Sequence, residues 1–169
     1  MNKKILILLV AILSCSFVSQ AQGRKVLRIN EVMVENDSNY VDDYGLHNSW
    51  IELYNSAYAP LEISSVYLTD DINQPKKYPV PLGDVNTEIP ARQHVIFWAD
   101  GEPNKGTFHL NFKLEPGKDN WIGVFDANGI SLIDSITVPA HLTVGQTYAR
   151  KVDGKGEGVD AWEIRDGSD

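Results

Sequence analysis

Beyond residue 21, no stretch of this sequence repeats apolar residues at the i, i+3, i+4, i+7 spacing that an amphipathic surface helix needs. Short runs rich in Val, Ile, Tyr, Trp and Thr take its place, and all 13 glycines and all 8 prolines lie among them. Side chains of a strand alternate between two faces, so short alternating runs broken every eight to twelve residues or so fit an antiparallel β-sandwich or barrel. Strands are expected at 26–34, 50–55, 61–63, 66–69, 77–80, 93–99, 110–114, 121–126, 130–137, 147–152 and, more weakly, 161–164. No linker-like cluster divides this region, so residues 22–169 read as one domain.

Three local patterns sharpen the expectation. In the first strand, Leu27 and Ile29 share one parity while Val32 and Val34 share the other. Either a bulge at Asn30 or Glu31 re-aims the chain, or the strand is buried on both faces. In Trp50-Ile51-Glu52-Leu53-Tyr54-Asn55, Ile51 and Leu53 define the core side, which puts Glu52 on a more open face between aromatics. The run 93–99 is apolar on both faces and is expected at the centre of a sheet. Asp126-Ala127-Asn128-Gly129 reads as a hairpin turn, with Asn-Gly supplying the positive-φ positions.

The N-terminus follows a different logic. Lys3 and Lys4 precede an apolar run from Ile5 to Leu13, and small and polar residues end at Ser19-Gln20-Ala21, the three-part pattern of a cleaved signal peptide over 1–21. The apolar run is short for a membrane span, which needs about 20 residues. Lipoprotein processing at Cys15 is the alternative, although Leu13 and Ile12 make a poor lipobox. Cleavage after Ala21 removes two lysines and no acid, moving the formal net charge from −8 to −10. It also removes the single cysteine, so the exported domain is expected to hold together by core packing without a disulfide. The expected location is periplasmic, cell-surface or extracellular.

In order along the chain, Ile29-Asn30-Glu31-Val32-Met33, Asp43-Tyr44-Gly45, Trp50 to Asn55, Tyr67-Leu68-Thr69-Asp70-Asp71, Ile89-Pro90-Ala91, Trp98-Ala99-Asp100-Gly101, Asn111-Phe112-Lys113-Leu114 and Asp134-Ser135-Ile136 resemble the lamin tail domain in its bacterial, secreted form. The resemblance covers 28 to about 154. It implies an immunoglobulin-like antiparallel β-sandwich and no activity of its own, since domains of this kind serve as interaction modules. It also implies relatives beside secreted nucleases and other hydrolases, in cell-surface proteins and in decarboxylase sodium-pump gamma subunits. Ser49 stands where the family usually has an acid, and Ala149-Arg150 where Gly-Arg is usual. The usual Pro-Gly-containing closing segment is missing after Trp162, which is expected to mean a divergent terminus or a chain continuing into a membrane helix or second domain.

Chemistry-bearing motifs are sparse. There is no G-x-S-x-G, H-E-x-x-H, Walker A, G-x-G-x-x-G or C-x-x-C, and His47, His94, His109 and His141 stand isolated. No catalytic residue and no resident cofactor is therefore expected. Loops of a sandwich gather at its ends, so Glu31, Asp43, Glu52, Asp70, Asp71 and Asp100, with Asp42, are the candidates for a Ca²⁺ site of clustered oxygens. Against calcium, no EF-hand-type loop is present, and Asp in turns commonly accepts bonds from nearby backbone. Trp50, Tyr54 and Trp98 are the candidates for contacting a ligand or partner, set against the ordinary use of aromatics in sandwich cores. The acidic charge and the lack of a basic stripe argue against nucleic acid. The expected function is a non-catalytic, exported envelope module that binds a protein or envelope component. The alternatives are the extracytoplasmic part of a larger membrane protein, such as a pump gamma subunit, and an accessory domain of a secreted hydrolase or nuclease.

Overall fold

A computed structural model describes residues 24–167; the expected export segment, with Cys15, lies outside them. In chain order the strands are β1 (Leu27–Met33), β2 (Trp50–Asn55), β3 (Leu61–Glu62), β4 (Tyr67–Thr69), β5 (Tyr78–Pro79), β6 (Glu88–Ile89), β7 (His94–Trp98), β8 (Asn120–Phe125), β9 (Leu132–Val138), β10 (Gln146–Arg150) and β11 (Trp162–Asp166). The only helical pieces among the described residues are four short 3-10 turns, so no helix there is long and apolar enough to cross a membrane.

One sheet runs β11-β10-β1-β2-β7 and the other β5-β4-β8-β9, with β3 and β6 forming a small ribbon, and the paired strands are antiparallel throughout. The facing surfaces supply one continuous core: Leu27, Ile29, Val32, Ile51, Leu53 and Phe97 from the larger sheet, and Leu68, Ile122, Val124, Ile136 and Val138 from the smaller. Two antiparallel sheets packed over such a core make an immunoglobulin-like β-sandwich.

The parity break in β1 is resolved by a bulge. Ile29 pairs with Leu53 and Glu31 with Glu52, so Asn30 is the extra residue that has no opposite number on β2. The insertion lets Leu27 and Ile29 before it, and Val32 and Val34 after it, all enter the core. Both expectations for this strand hold, because its other face is buried as well: Glu31 and Met33 are covered.

Four local expectations are corrected. Residues 93–99 do not form a central strand: β7 ends the larger sheet. Its apolar flank is closed by the following loop, where Trp98 N–H donates to the Phe108 carbonyl and Leu110 N–H to the Trp98 carbonyl. Residues 110–114 are not a strand either. Leu110, Phe112 and Leu114 are buried in the expected alternation, yet the segment and its flank form no ladder beyond the isolated bridges Trp98–His109 and Asp100–Lys113. In the hairpin turn only Gly129 takes a positive φ, of 63°. Asn128 works through its side chain, whose Oδ1 accepts from the N–H groups of Ile130 and Ser131. Finally, Glu52 lies on the outer face of the sheet as expected, but that face is covered and Glu52 is buried.

Candidate functional site

The long connection from β1 to β2, residues 34–49, folds back over the outer face of the larger sheet and is pinned by its own polar side chains. Asp42 Oδ1 accepts from the N–H groups of Tyr44 and Leu46, both at 2.9 Å, and its Oδ2 accepts from Asn48 Nδ2 at 2.8 Å. Asn36 Nδ2 donates to the carbonyls of Tyr40 and Asn48. Short Asx-type bonds of this sort replace the missing ladder and hold an irregular segment in one conformation. Below it, the Tyr40 ring packs 5.7 Å from Trp50, which with Met33 and Trp98 forms a second, smaller apolar cluster. The Trp50 Nε1 atom is buried there without a hydrogen-bond partner.

The connection after β7 meets this loop edge to edge. Asp100 Oδ2 sits 2.9 Å from His109 Nδ1 and 3.2 Å from Lys105 Nζ, while Asp100 Oδ1 accepts from Glu102 N–H. Lys105 Nζ also lies 4.0 Å from Asp42 Oδ2 and 2.7 Å from Glu102 Oε2. Tyr44 closes the arrangement: its hydroxyl donates to the Lys105 carbonyl, its ring lies 5.3 Å from the ammonium, and its edge meets His109. Burial pushes the carboxyls of Asp42 and Asp100 up. Their hydrogen bonds outweigh it and hold both below the ordinary aspartate value, from Leu46, Tyr44 and Asn48 for Asp42 and from His109, Glu102 and Lys105 for Asp100.

Among the described residues, Asp42, Asp100 and His109 bring ligand atoms within 4.8 Å of one another. Two carboxylates and an imidazole could hold a transition-metal ion. The positive charge at this place, however, is the Lys105 ammonium, and the Asp42 oxygens already accept three hydrogen bonds. The cluster is therefore complete as an ion-pair network. Nor does it form a catalytic triad, since no side-chain hydroxyl or thiol among the described residues bonds the other nitrogen of His109.

The residues singled out from sequence fall in several places. Asp100 belongs to this cluster; Asp43, one residue from Asp42, is exposed. Asp70 pairs with Lys77 at 2.5 Å, and Asp71 caps its own turn by accepting from Asn73 and Gln74. Glu31 and Glu52 stand opposite one another on β1 and β2, both buried. Trp50, Tyr54 and Trp98 are buried too, so none presents an open ring; Tyr54 is capped by the Arg92 guanidinium at 5.2 Å. Lys105 escaped sequence reasoning, and His109, expected to stand isolated, is paired with Asp100. The available signal was their spacing from Asp100 in one short connection, which carries meaning only once that connection is known to turn back on β7.

A second buried network supports the sandwich from the opposite edge of β1. Arg150 Nη2 donates to Asp134 Oδ2 at 2.8 Å, Nε to the Ile29 carbonyl at 2.7 Å, and Nη1 to the carbonyls of Lys155 and Gly156. Asp134 Oδ2 also accepts from Arg28 Nε and from the Ile29 N–H. Four of its five donors are used within the fold, and the guanidinium packs 4.7 Å from the Trp162 ring, so this pair is structural.

The 34–49 loop presents apolar side chains to solvent beside its polar ones. Val41, Tyr44 and Leu46 are 51%, 57% and 49% exposed on the pinned loop. Grooves of about 390 and 480 Å³ flank it, the first lined by Asn36, His47 and Lys113, the second by Asp43, Trp98 and His109.

Among known families, the model described as Lamin Tail Domain matches residues 20–140. No curated protein matches the chain.

Proposed function

The chain belongs to the Lamin Tail Domain family, and on that footing we propose that it is an exported, non-catalytic interaction module that docks a protein or envelope component on the 34–49 loop. One observation carries the reading. Val41, Tyr44 and Leu46 are held outward by a loop whose conformation is set by Asp42, Asn36 and Asn48, so a partner meets apolar side chains that are already ordered. Pre-ordering reduces the entropy a partner must overcome, and exposed aromatic and aliphatic groups on a rigid base are what such surfaces use. The acidic charge favours a protein or envelope component over nucleic acid. Export rests on the Lys3-Lys4, Ile5–Leu13, Ala21 pattern alone.

The test is a cross-linking pull-down from envelope fractions with the wild-type chain and with a Val41→Ser/Leu46→Ser variant. Both positions are half-exposed, so the variant is expected to melt like the wild type while losing the captured partner at least tenfold. Equal recovery by both chains, or no partner for the wild type, overturns the proposal.

A further inference from the structure

The two sheets have four outer edges. On β7 the backbone groups of Trp98 are taken up by Phe108 and Leu110. The β5 edge is two residues long and includes Pro79, which has no N–H to offer. Along β9, the Asp134 side chain accepts from Arg28 and Ile29 of the crossing strand β1. Among the described residues β11 runs for five residues with no proline or glycine, and natural sheets seldom leave such an edge unprotected.

The direction of its free groups follows from the pairing with β10. Lys151 N–H donates to the Ala161 carbonyl and Gly167 N–H to the Gly145 carbonyl, so the hydrogen-bonded positions of β11 are the odd-numbered ones. The carbonyl of Trp162, and the N–H and carbonyl groups of Ile164 and Asp166, therefore point away from the sheet. The Trp162 N–H is occupied, donating to the Val159 carbonyl.

We propose that this edge pairs with the same edge of a second copy, antiparallel, about a two-fold axis through Ile164. That register puts the free groups of Ile164 against those of Ile164 in the other copy, and the Asp166 N–H against the other Trp162 carbonyl. It sets Glu163 opposite the other copy's Arg165, in the non-hydrogen-bonded pair where side chains approach most closely. The two charges already share one face, where Arg165 Nε bonds its own Glu163 Oε1 at 3.0 Å and its Nη2 donates to the Arg150 carbonyl; pairing gathers two charges of each sign into a two-by-two cluster. Ile164, 39% exposed at the border of the core face, is covered by its counterpart. The contact closes on itself as an isologous dimer, joining two five-stranded sheets into one of ten.

Sedimentation across a concentration series up to about 1 mM, suited to an interface of modest area, should show the wild-type mass rising from monomer to dimer. Ile164→Pro removes an outward N–H without touching a β10–β11 hydrogen bond, and should keep the far-UV spectrum while remaining monomeric. Should that variant melt early, Glu163→Lys leaves every β10–β11 hydrogen bond in place, sets like charges face to face, and should weaken dimerisation at least tenfold. In a Cys15→Ser background, Ile164→Cys should cross-link to a covalent dimer, because facing positions in such a pair lie about 5.5 Å apart between Cα atoms. Thr137→Cys, exposed on the other sheet, should not. A wild type that stays monomeric throughout, a variant that dimerises as tightly as the wild type, or equal cross-linking from positions 164 and 137, overturns the proposal.

Discussion

Arg150 Nε donates a 2.7 Å hydrogen bond to the carbonyl of Ile29, the residue that immediately precedes the extra residue of β1. A bulge breaks the ladder and leaves a backbone group in need of a partner. Here the partner arrives from β10, and the Asn30 side chain completes the repair by donating to Glu52 and Asp153 and accepting from the Gly154 N–H.

Deleting Asn30 should leave the strand in register, because removing the extra residue restores plain alternation and keeps Leu27, Ile29, Val32 and Val34 on one face. The deletion variant is expected to retain a cooperative thermal transition at a lowered melting temperature, having lost the bonds that the Asn30 side chain makes. Asn30→Ala should fold and lose about 1–3 kcal/mol by urea denaturation, the cost of the hydrogen bonds left unmade. A deletion variant without a cooperative transition would refute the register argument.

Asp134 and Arg150 should prove unequal when removed singly. Asp134→Ala leaves the Arg150 guanidinium buried without its anion and should cost about 3–5 kcal/mol. Arg150→Met should cost less in the same denaturation series, because Asp134 keeps Arg28 and the Ile29 N–H. Equal losses would show that the hydrogen bonds of Arg150 to the Ile29 and Gly156 carbonyls matter more than the ion pair.

The response to pH should carry two opposite signs. Burial pushes Glu52 above its ordinary value of 4.5, against the Asn30 hydrogen bond and the His94 and Arg165 charges and with the Asp153 charge adding to the rise. A carboxyl that binds its proton more tightly when folded costs stability above its folded pKa, and the cost vanishes below 4.5. Glu52→Gln should thus raise the melting temperature at neutral and alkaline pH and leave it unchanged in acid. Asp42 and Asp100, both held low, contribute stability above 3.8 that is lost as pH falls through their folded values. A melting-temperature gain for Glu52→Gln that does not shrink with falling pH would contradict the burial argument.

Divalent cations should leave the wild-type domain unmoved, because Lys105 stands where a cation would sit between Asp42 and Asp100. Melting in EDTA and in about millimolar Ca²⁺ or Zn²⁺ should coincide, since a ligand stabilises only by binding the folded state. Lys105→Met removes the ammonium and should gain a Zn²⁺-dependent rise in melting temperature. A wild-type rise would place a metal beside the lysine.

The alternation of Val, Ile and aromatic residues determined the all-β class, and the strand positions from Trp50 to Asn55 and along β8, β9 and β10 followed from it, because a strand's two-residue period is local. The parity break between Ile29 and Val32 even located the bulge. Tertiary structure decided the rest. Leu110, Phe112 and Leu114 alternate like a strand but have no continuous neighbour to bond, and β7 looks central yet is closed by its own loop. Asp42, Asp100, Lys105 and His109 meet only because two irregular connections cross. Periodicity reports what a residue does to its own backbone; which charges face one another depends on where two chain segments pass in space, and no local pattern encodes that.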